Sequence, residues 1–479
     1  MNDLRPPSLA QADDSREAVS LYQKEAKIYP RAVSGRFANW RWSMVALTQA
    51  VFYGVPWLQW NARQAVLFDL DAPRFFLFGL VLQPQDLIFL AALLVISALA
   101  LFFFTALAGR LWCGYACPQT VYTEIFLWIE RHTEGDRQAR MRLDAEPMSA
   151  RKLLRKGGKH LAWAALALFT GFSFVGYFVP IRELALQTFA AALDPWPAFW
   201  IGFYGLATYG NAGWMREQIC KYMCPYARFQ STLIDGDSLV IAYDDRRGEP
   251  RGSRSRKADP RAAGLGDCID CTLCVQVCPT GIDIRRGLQN ECIGCAACID
   301  VCDGVMDRMG YPRGLIRYDT GNGVAQGLTR EQQLRRIRRP RVLVYGALLA
   351  ASLTAFVALV VLRPAVTMDV MRDRGMLSRV GEEGRIENLY RVQLMNRTET
   401  AGRWQLRADG LPGLAVDAAP PLELAAGEVR SYTVRLVLPA AQASALPPGA
   451  QPIRLELMPL AAPGAAPVVA EKSTFVLPR

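Results

Sequence analysis

Histidine is almost absent. The 479-residue chain has two, His132 and His160, and neither lies in an apolar run. The paired intramembrane histidines that hold a b-type haem are therefore missing, which excludes a membrane haem subunit. Charge is absent from five long segments: Trp42 to Trp60, Leu87 to Ala108, Leu161 to Val179, Pro195 to Met215 and Val342 to Leu362. A spanning helix needs about 20 apolar residues, so each is a predicted span, and five in one chain argue against a wholly soluble protein. None of the twelve cysteines lies in residues 363–479, so that region has no disulfide framework. The first 41 residues lack the apolar stretch of a cleavable signal peptide, and the first span is expected to serve as the insertion signal.

What charge there is falls unevenly. The net charge is +11, with 7 Lys and Arg in residues 1–41, 2 in 61–85, 10 in 109–160 and 1 in 180–194. This alternation, under the positive-inside rule, puts the N-terminus, the 109–160 loop and residues 216–341 in the cytoplasm and residues 363–479 outside. Arg335, Arg336, Arg338, Arg339 and Arg341, just before the fifth span, read as a topology anchor that can touch anionic lipid, not as a nucleic-acid patch. Trp42, Trp57, Trp60, Trp196, Trp200 and Trp214 near the span ends resemble interfacial belts.

All cysteines are then on the cytoplasmic side, where thiols more often bind metal or do redox chemistry than form disulfides. Cys268, Cys271, Cys274 and Cys278 precede Pro279, and Cys292, Cys295, Cys298 and Cys302 repeat the same spacing. In such a CxxCxxCxxxC pair each block gives three thiolates to one cubane and its fourth to the other. The predicted cofactors are two [4Fe-4S] clusters, one on Cys268, Cys271, Cys274 and Cys302, the other on Cys292, Cys295, Cys298 and Cys278. A zinc site has no use for the crossed fourth cysteine. Asp303 stands where proline normally follows, and with Asp300 and Asp307 it is expected to add negative charge near a cluster.

The remaining cysteines form two matching CxYxCP elements, Cys113, Tyr115, Cys117, Pro118 and Cys220, Tyr222, Cys224, Pro225, each after an even-numbered span. Proline disfavours helix at the residue before it and suits the first helical position, so Cys117 and Cys224 are predicted at helix starts. With Arg110, Arg216, Lys221 and Arg228 nearby, the thiolate form is expected to be favoured. If the two hairpin ends meet, the four cysteines make a soft-thiolate copper site, a redox dithiol or a third cubane. The bland alternative is that they pack as small apolar side chains.

Alternating runs at Glu387 to Met395, Val429 to Leu438 and Ile453 to Leu457 predict short antiparallel strands of an immunoglobulin-like sandwich. No catalytic pairing occurs there. Met368, Met371 and Met376 are candidates for a thioether site but read better as packing, and His132 and His160 read as ordinary loop and interface residues.

Five spans, two CxxxCP elements, a two-cluster ferredoxin insert and an immunoglobulin-like C-terminal domain together resemble the cytochrome c oxidase accessory protein family, known as CcoG, RdxA or FixG. The expected order is a cytoplasmic segment (1–41), four transmembrane helices (42–243), a linker (244–261), a ferredoxin domain (262–330), a basic anchor (331–341), a fifth helix (342–362) and a periplasmic sandwich (363–479). The resemblance implies a multi-pass protein of the bacterial inner membrane that serves maturation of the cbb3-type oxidase. It further implies reduction of Cu(II) to Cu(I), with Cys113, Cys117, Cys220 and Cys224 handling copper. The implied partners are copper ions, a cytosolic electron donor, and oxidase assembly factors or a copper transporter. The competing classes are an electron-transfer subunit linked to the quinol pool and a redox sensor.

Overall fold

The computed structural model describes residues 27–256, 264–373, 378–417, 421–460 and 467–478. Met376, the end of the predicted linker and most of the first segment lie outside the described residues.

The apolar runs all form helix, but of unequal reach. Helix α1 (Arg36–Gly54) ends just before Pro56, whose ring cannot continue it. The second run is α2 (Leu87–Ala108), apolar throughout. Short helices α3 (Leu111–Tyr115), α4 (Pro118–Glu134) and α5 (Arg137–Ala145) lead into α6 (Ala150–Val175), whose first turns carry Lys and Arg. After α7 (Ile181–Phe189), α8 (Pro195–Thr208) passes into a wider π-type stretch, Tyr209–Met215, and α9 (Pro225–Leu233) follows the second cysteine pair. Among the described residues, two helices are long and apolar enough to cross a membrane, Pro84–Ala108 and Pro340–Val361. The other three predicted spans are helical but fall short of that apolar length: α1 ends just before Pro56, α8 gives way to the π-type stretch, and α6, 26 residues long, carries charged residues through its first turns.

Outward-facing apolar side chains form a belt on these helices, including Leu47 and Val51 on α1, Leu90, Leu94 and Val95 on α2, Leu161 and Phe169 on α6, and Trp196, Phe199 and Phe203 on α8. An apolar surface of that extent is what a membrane covers. Packing inside the belt depends on small residues: a Cβ at Gly171 of α6 would strike the Ile201 carbonyl of α8, and Gly205 lies against Leu168. At one end of α4 and α6, buried Glu130 pairs with Arg216 at 2.6 Å, Arg140 at 2.9 Å and Lys159 at 3.7 Å, while Glu134 pairs with Lys159 at 2.9 Å. Burial alone would raise the Glu130 pKa, but Arg216, Lys159 and Arg140 hold it below the usual carboxylate value.

The cysteine-rich domain is bracketed by two antiparallel strands, β1 (Leu239–Tyr243) and β2 (Ile316–Thr320), with Ile241 opposite Tyr318. It therefore begins before the expected linker. That segment is held down over its described part: Gly252 N–H bonds the Cys268 carbonyl at 3.2 Å, and Arg247 bonds Asp267. Helix α10 (Ala297–Met309) completes the domain, and α11 (Pro340–Val361) packs along α2 through Phe89 on Phe356 and Phe102 on Tyr345.

The C-terminal region is a two-sheet sandwich, as the alternation predicts. Its strands are β3 (Val366–Arg372), β4 (Ile386–Asn396), β5 (Gly402–Asp409), β6 (Ala415–Asp417), β7 (Leu422–Leu424), β8 (Val429–Leu438), β9 (Gly449–Pro459) and β10 (Val469–Leu477). One sheet runs β6-β8-β4-β3 and the other β7-β5-β9-β10, all antiparallel. Tyr390, Leu394, Leu436, Leu455 and Phe475 fill the space between them. Met368 is buried in this core, which supports its reading as packing. Glu399 fastens the sandwich to the α1–α2 connection by accepting from Trp60, Asn61 and Arg63.

Candidate metal and redox centre

The two ferredoxin blocks adopt the same backbone. Positive φ occurs at Asp270 and Thr272 in the first and at Gly294 and Ala296 in the second, the equivalent positions of each CxxC. Only glycine takes this conformation freely, so seven-residue loops that repeat it at Asp, Thr and Ala are held there by their surroundings. The consequence is that Cys268, Cys271, Cys274 and Cys302 line one cavity, and Cys278, Cys292, Cys295 and Cys298 line another, with Cys274 at its edge. The two linings have the membership of the expected crossed sets, with Cys274 in both, although no three of these thiols lie close enough together to hold a single ion. The donor set fits iron–sulfur clusters: eight thiols in two fours, walled by Ile241, Ile284, Ile293, Val305 and Ile316. Burial pushes the thiols of Cys274, Cys292 and Cys302 up to about 12, so they lose their protons to a metal and not to water.

The acidic residues of the second block also make structural hydrogen bonds and an ion pair. Asp300 accepts from the Phe37 and Ala38 N–H groups at 3.1 and 2.7 Å, capping α1, and Asp303 accepts from Gly314 N–H at 2.9 Å. Asp307 pairs with Arg313 at 2.7 Å. Of the three, only Asp307 has an ion-pair partner among the described residues, and the charge of Asp303 still raises the proton affinity of Cys302.

The CxYxCP elements fold as predicted at their prolines. Cys117 and Cys224 are N-caps with extended backbone, and Pro118 and Pro225 open α4 and α9. The two elements also meet. Cys113 faces Cys117, Cys220 and Cys224 closely enough for each to raise its proton affinity, and Cys220 faces Cys117 and Cys224. The expected lowering of the thiol pKa is overturned, since burial comes first: it pushes Cys113 up to about 12 and Cys220 to about 11, neighbouring thiols add to it, and Arg110 opposes it only in part. Cys117 is likewise raised by burial, although the Thr120 and Gln119 N–H groups at the helix start pull the other way. With their thiols raised, Cys113, Cys117 and Cys220 hold their protons until a soft cation displaces them.

This thiol group abuts the second ferredoxin cavity. Cys113 and Cys220 pack with Val277, Ile293, Cys295 and Ala297. A Cβ at Gly114 would come within 2.7 Å of the Gly294 carbonyl oxygen and 2.9 Å of Cys295 Cα, so only glycine permits the approach. The Arg110 guanidinium donates to the Asn290 and Ala227 carbonyls, tying the ferredoxin loop to α9. Tyr318 donates to the Gly294 carbonyl at 2.6 Å and lies 3.3 Å from the Tyr115 hydroxyl, while the Cys113 thiol donates to Gln230 at 3.2 Å. Gln230 and Tyr318 carry no motif, and only the fold brings them here. Among the described residues no three His, Cys, Asp or Glu side chains are close enough to hold a single ion, which applies to the ferredoxin cysteines and the CxYxCP cysteines alike. His160 bonds Tyr209 at 2.8 Å and stacks on Trp214, and His132 contacts the Trp128 carbonyl, both away from the thiols.

Known proteins match this architecture along nearly its whole length. A model of the 4Fe-4S dicluster domain matches residues 215–321, one of a 4Fe-4S binding domain matches 90–134, and one of the immunoglobulin-like fold at the C-terminus of FixG matches 356–478. The protein RdxA of Cereibacter sphaeroides is 41% identical over 470 residues, 95% of this chain and 98% of that protein. The chain belongs to the FixG/RdxA family. The nitrogen fixation protein FixG of Rhizobium meliloti is 38% identical, with 86% of this chain and 84% of that one covered. RdxB of Cereibacter sphaeroides is 38% identical over 84% of this chain and 85% of its own. This member of the FixG/RdxA family is an iron–sulfur redox protein, and the 4Fe-4S binding model that covers 90–134 includes Cys113 and Cys117.

Proposed function

We propose that the chain reduces Cu(II) to Cu(I) at the CxYxCP thiols in support of cbb3-type oxidase maturation. The observation that carries this reading is the packing of Cys113 and Cys220, one from each CxYxCP element, against the Cys295 loop. Each Cu(II) takes one electron, and the resulting Cu(I) is the ion that soft sulfur prefers. Held by the eight ferredoxin cysteines in the crossed sets, two [4Fe-4S] clusters would supply single electrons, reloaded by a cytosolic donor. The chain's own part is to keep Cys113, Cys117 and Cys220 protonated until the ion displaces their protons, and to hold the elements against the ferredoxin loop through Arg110, Gly114 and Tyr318. Five spans with the ferredoxin side cytoplasmic and the sandwich periplasmic complete the proposal. A reporter fused after Pro364 that works only in the cytoplasm would refute that topology.

A second reading has a specific observation behind it: a 4Fe-4S binding model covers the first CxYxCP element, so the four thiols could hold a third cluster in an electron wire. One double variant separates the two. In anaerobically purified Cys113→Ser/Cys117→Ser protein, about eight irons with lost Cu(I) binding and lost Cu(II) reduction supports copper handling. Unchanged copper reduction sinks it. Loss of about four irons relative to the parent favours the wire.

A further inference from the structure

A cavity of about 440 Å³ lies where α1, α4, α5 and the Gln276–Pro279 loop meet, next to the packing of Cys113 and Cys220 on Val277 and Ala297. Its volume is in the range of small-molecule sites and exceeds what a bare inorganic ion needs. The charge of its wall is unusual. Arg31, Arg41, Arg131, Arg137 and Arg140 line it against two carboxylates, Glu124 and Asp136. Asp136 is already committed as the cap of α5, accepting from Ala139 N–H at 2.8 Å.

The arginines differ in what occupies them. Arg140 is paired with Glu130, and Arg137 donates to the Tyr29 carbonyl. Arg41 is only 7% exposed, and its Nε is buried with no hydrogen-bond partner among the described residues. That Nε is closed off from the cavity, but the guanidinium puts a buried positive charge in its wall that an anionic ligand would neutralise. Arg31 and Arg131 are exposed. The planar Trp128 ring adds a stacking surface, and Val277, Pro279 and Ala297, neighbours of Cys278 and of Cys298, form part of the wall.

We propose that this cavity binds a phosphate-bearing organic ligand, the chemistry shared by a phosphorylated redox nucleotide and by a phospholipid headgroup. The arginine set supplies forked donors for phosphate, Trp128 supplies a face for a ring or a glycerol backbone, and the cavity wall borders the second cysteine set. The inference does not depend on copper chemistry.

The test uses the full-length protein in detergent and in nanodiscs. Flavin mononucleotide and NADPH are titrated by fluorescence, with riboflavin and nicotinamide riboside as their phosphate-free counterparts. Phosphatidylglycerol is compared with phosphatidylcholine by native mass spectrometry. Binding of either nucleotide at least tenfold tighter than its counterpart, weakened at least tenfold by Arg41→Gln and by the exposed pair Arg31→Gln/Arg131→Gln, supports a nucleotide site. Retention of phosphatidylglycerol that the same variants abolish supports the lipid source. Iron content checks that Arg41→Gln still folds, and the exposed pair reports independently of that. Equal binding with and without phosphate for every probe, or binding unmoved by the exposed pair, overturns the proposal.

Discussion

The eight ferredoxin cysteines and the four CxYxCP cysteines are built on opposite principles. In the first region three thiols of each group are set by one loop, with Asp270 and Thr272 repeating the backbone of Gly294 and Ala296, and the fourth comes from the neighbouring block, so the arrangement is written into short-range spacing. The second region depends on distant chain: Cys113 and Cys220 are more than 100 residues apart and meet only because α4, α6 and the Tyr209–Met215 stretch pack around Glu130. Locally encoded sites should fail one ligand at a time. Sites assembled by the fold should fail when the scaffold does, even with every ligand intact.

The largest expected effect breaks the local side. Cys302→Ser removes one thiol from the cavity lined by Cys268, Cys271 and Cys274, although its own block lies in the other half. The expected outcome is loss of about four of eight irons with Cu(I) binding by the CxYxCP thiols intact, measured as iron, sulfide and copper per chain. If the loss falls on the cluster of Cys292, Cys295 and Cys298, the crossed grouping is wrong.

Glu130→Ala should break the assembled side instead. It leaves Arg216, Arg140 and Lys159 buried around an empty position, which costs about 3–5 kcal/mol, read as a fall in Tm. Cu(I) binding should fall with it while iron content in the folded fraction holds. The parent protein's pH dependence follows from the same pairing. Because the folded pKa of Glu130 is lowered, its stabilisation is complete above the unfolded value of about 4.3 and is lost as pH falls through the folded value. A Tm profile of Glu130→Ala that parallels the parent through that acid range would show that Glu130 contributes nothing.

What the sequence makes legible follows the same division. Cluster spacing, the prolines after Cys117 and Cys224, and the strands at Glu387 to Met395 and Val429 to Leu438 are short-range patterns, and they appear as expected. The thiol pKa direction does not, because burial of Cys113 by Val277 and Ile293 comes from another part of the chain. Counting Arg140, Lys156 and Lys159 as topology charges also hides their pairing with Glu130 and Glu134, which needs α4 and α6 side by side. The helical runs are visible, yet their reach is not, since Pro56 and the π-type stretch end two of them early.

Gly114→Val tests the seam between the two regions. The added side chain meets the Gly294 carbonyl and Cys295 Cα, so one loop must shift, at about 1–3 kcal/mol. Both sites keep their ligands. Iron content and Cu(I) binding should therefore be near the parent's, while Cu(II) reduction falls at least tenfold. Full reduction activity would mean that the contact does not serve transfer between them.

The smallest effect concerns Asp300, a residue of the second ferredoxin block that reaches into the helical scaffold by hydrogen bond. Its two carboxylate oxygens take the Phe37 and Ala38 N–H groups of α1, a helix whose own N-cap, Gly35, has no side chain to offer. Gly35 must stay small for this, because a Cβ there would strike the Asp300 carboxylate. In Asp300→Asn one oxygen still accepts, but the charge at the helix start is gone and the second oxygen becomes a donor. The expected loss is about 0.5–2 kcal/mol, within the range of an N-cap replacement. Both thiol groups are untouched, so iron and Cu(I) binding should stay at the parent's level and only Tm should move. If Asp300→Asn instead lowers iron content, the aspartate serves the second cysteine cavity directly, and the division between local and assembled sites fails at that residue.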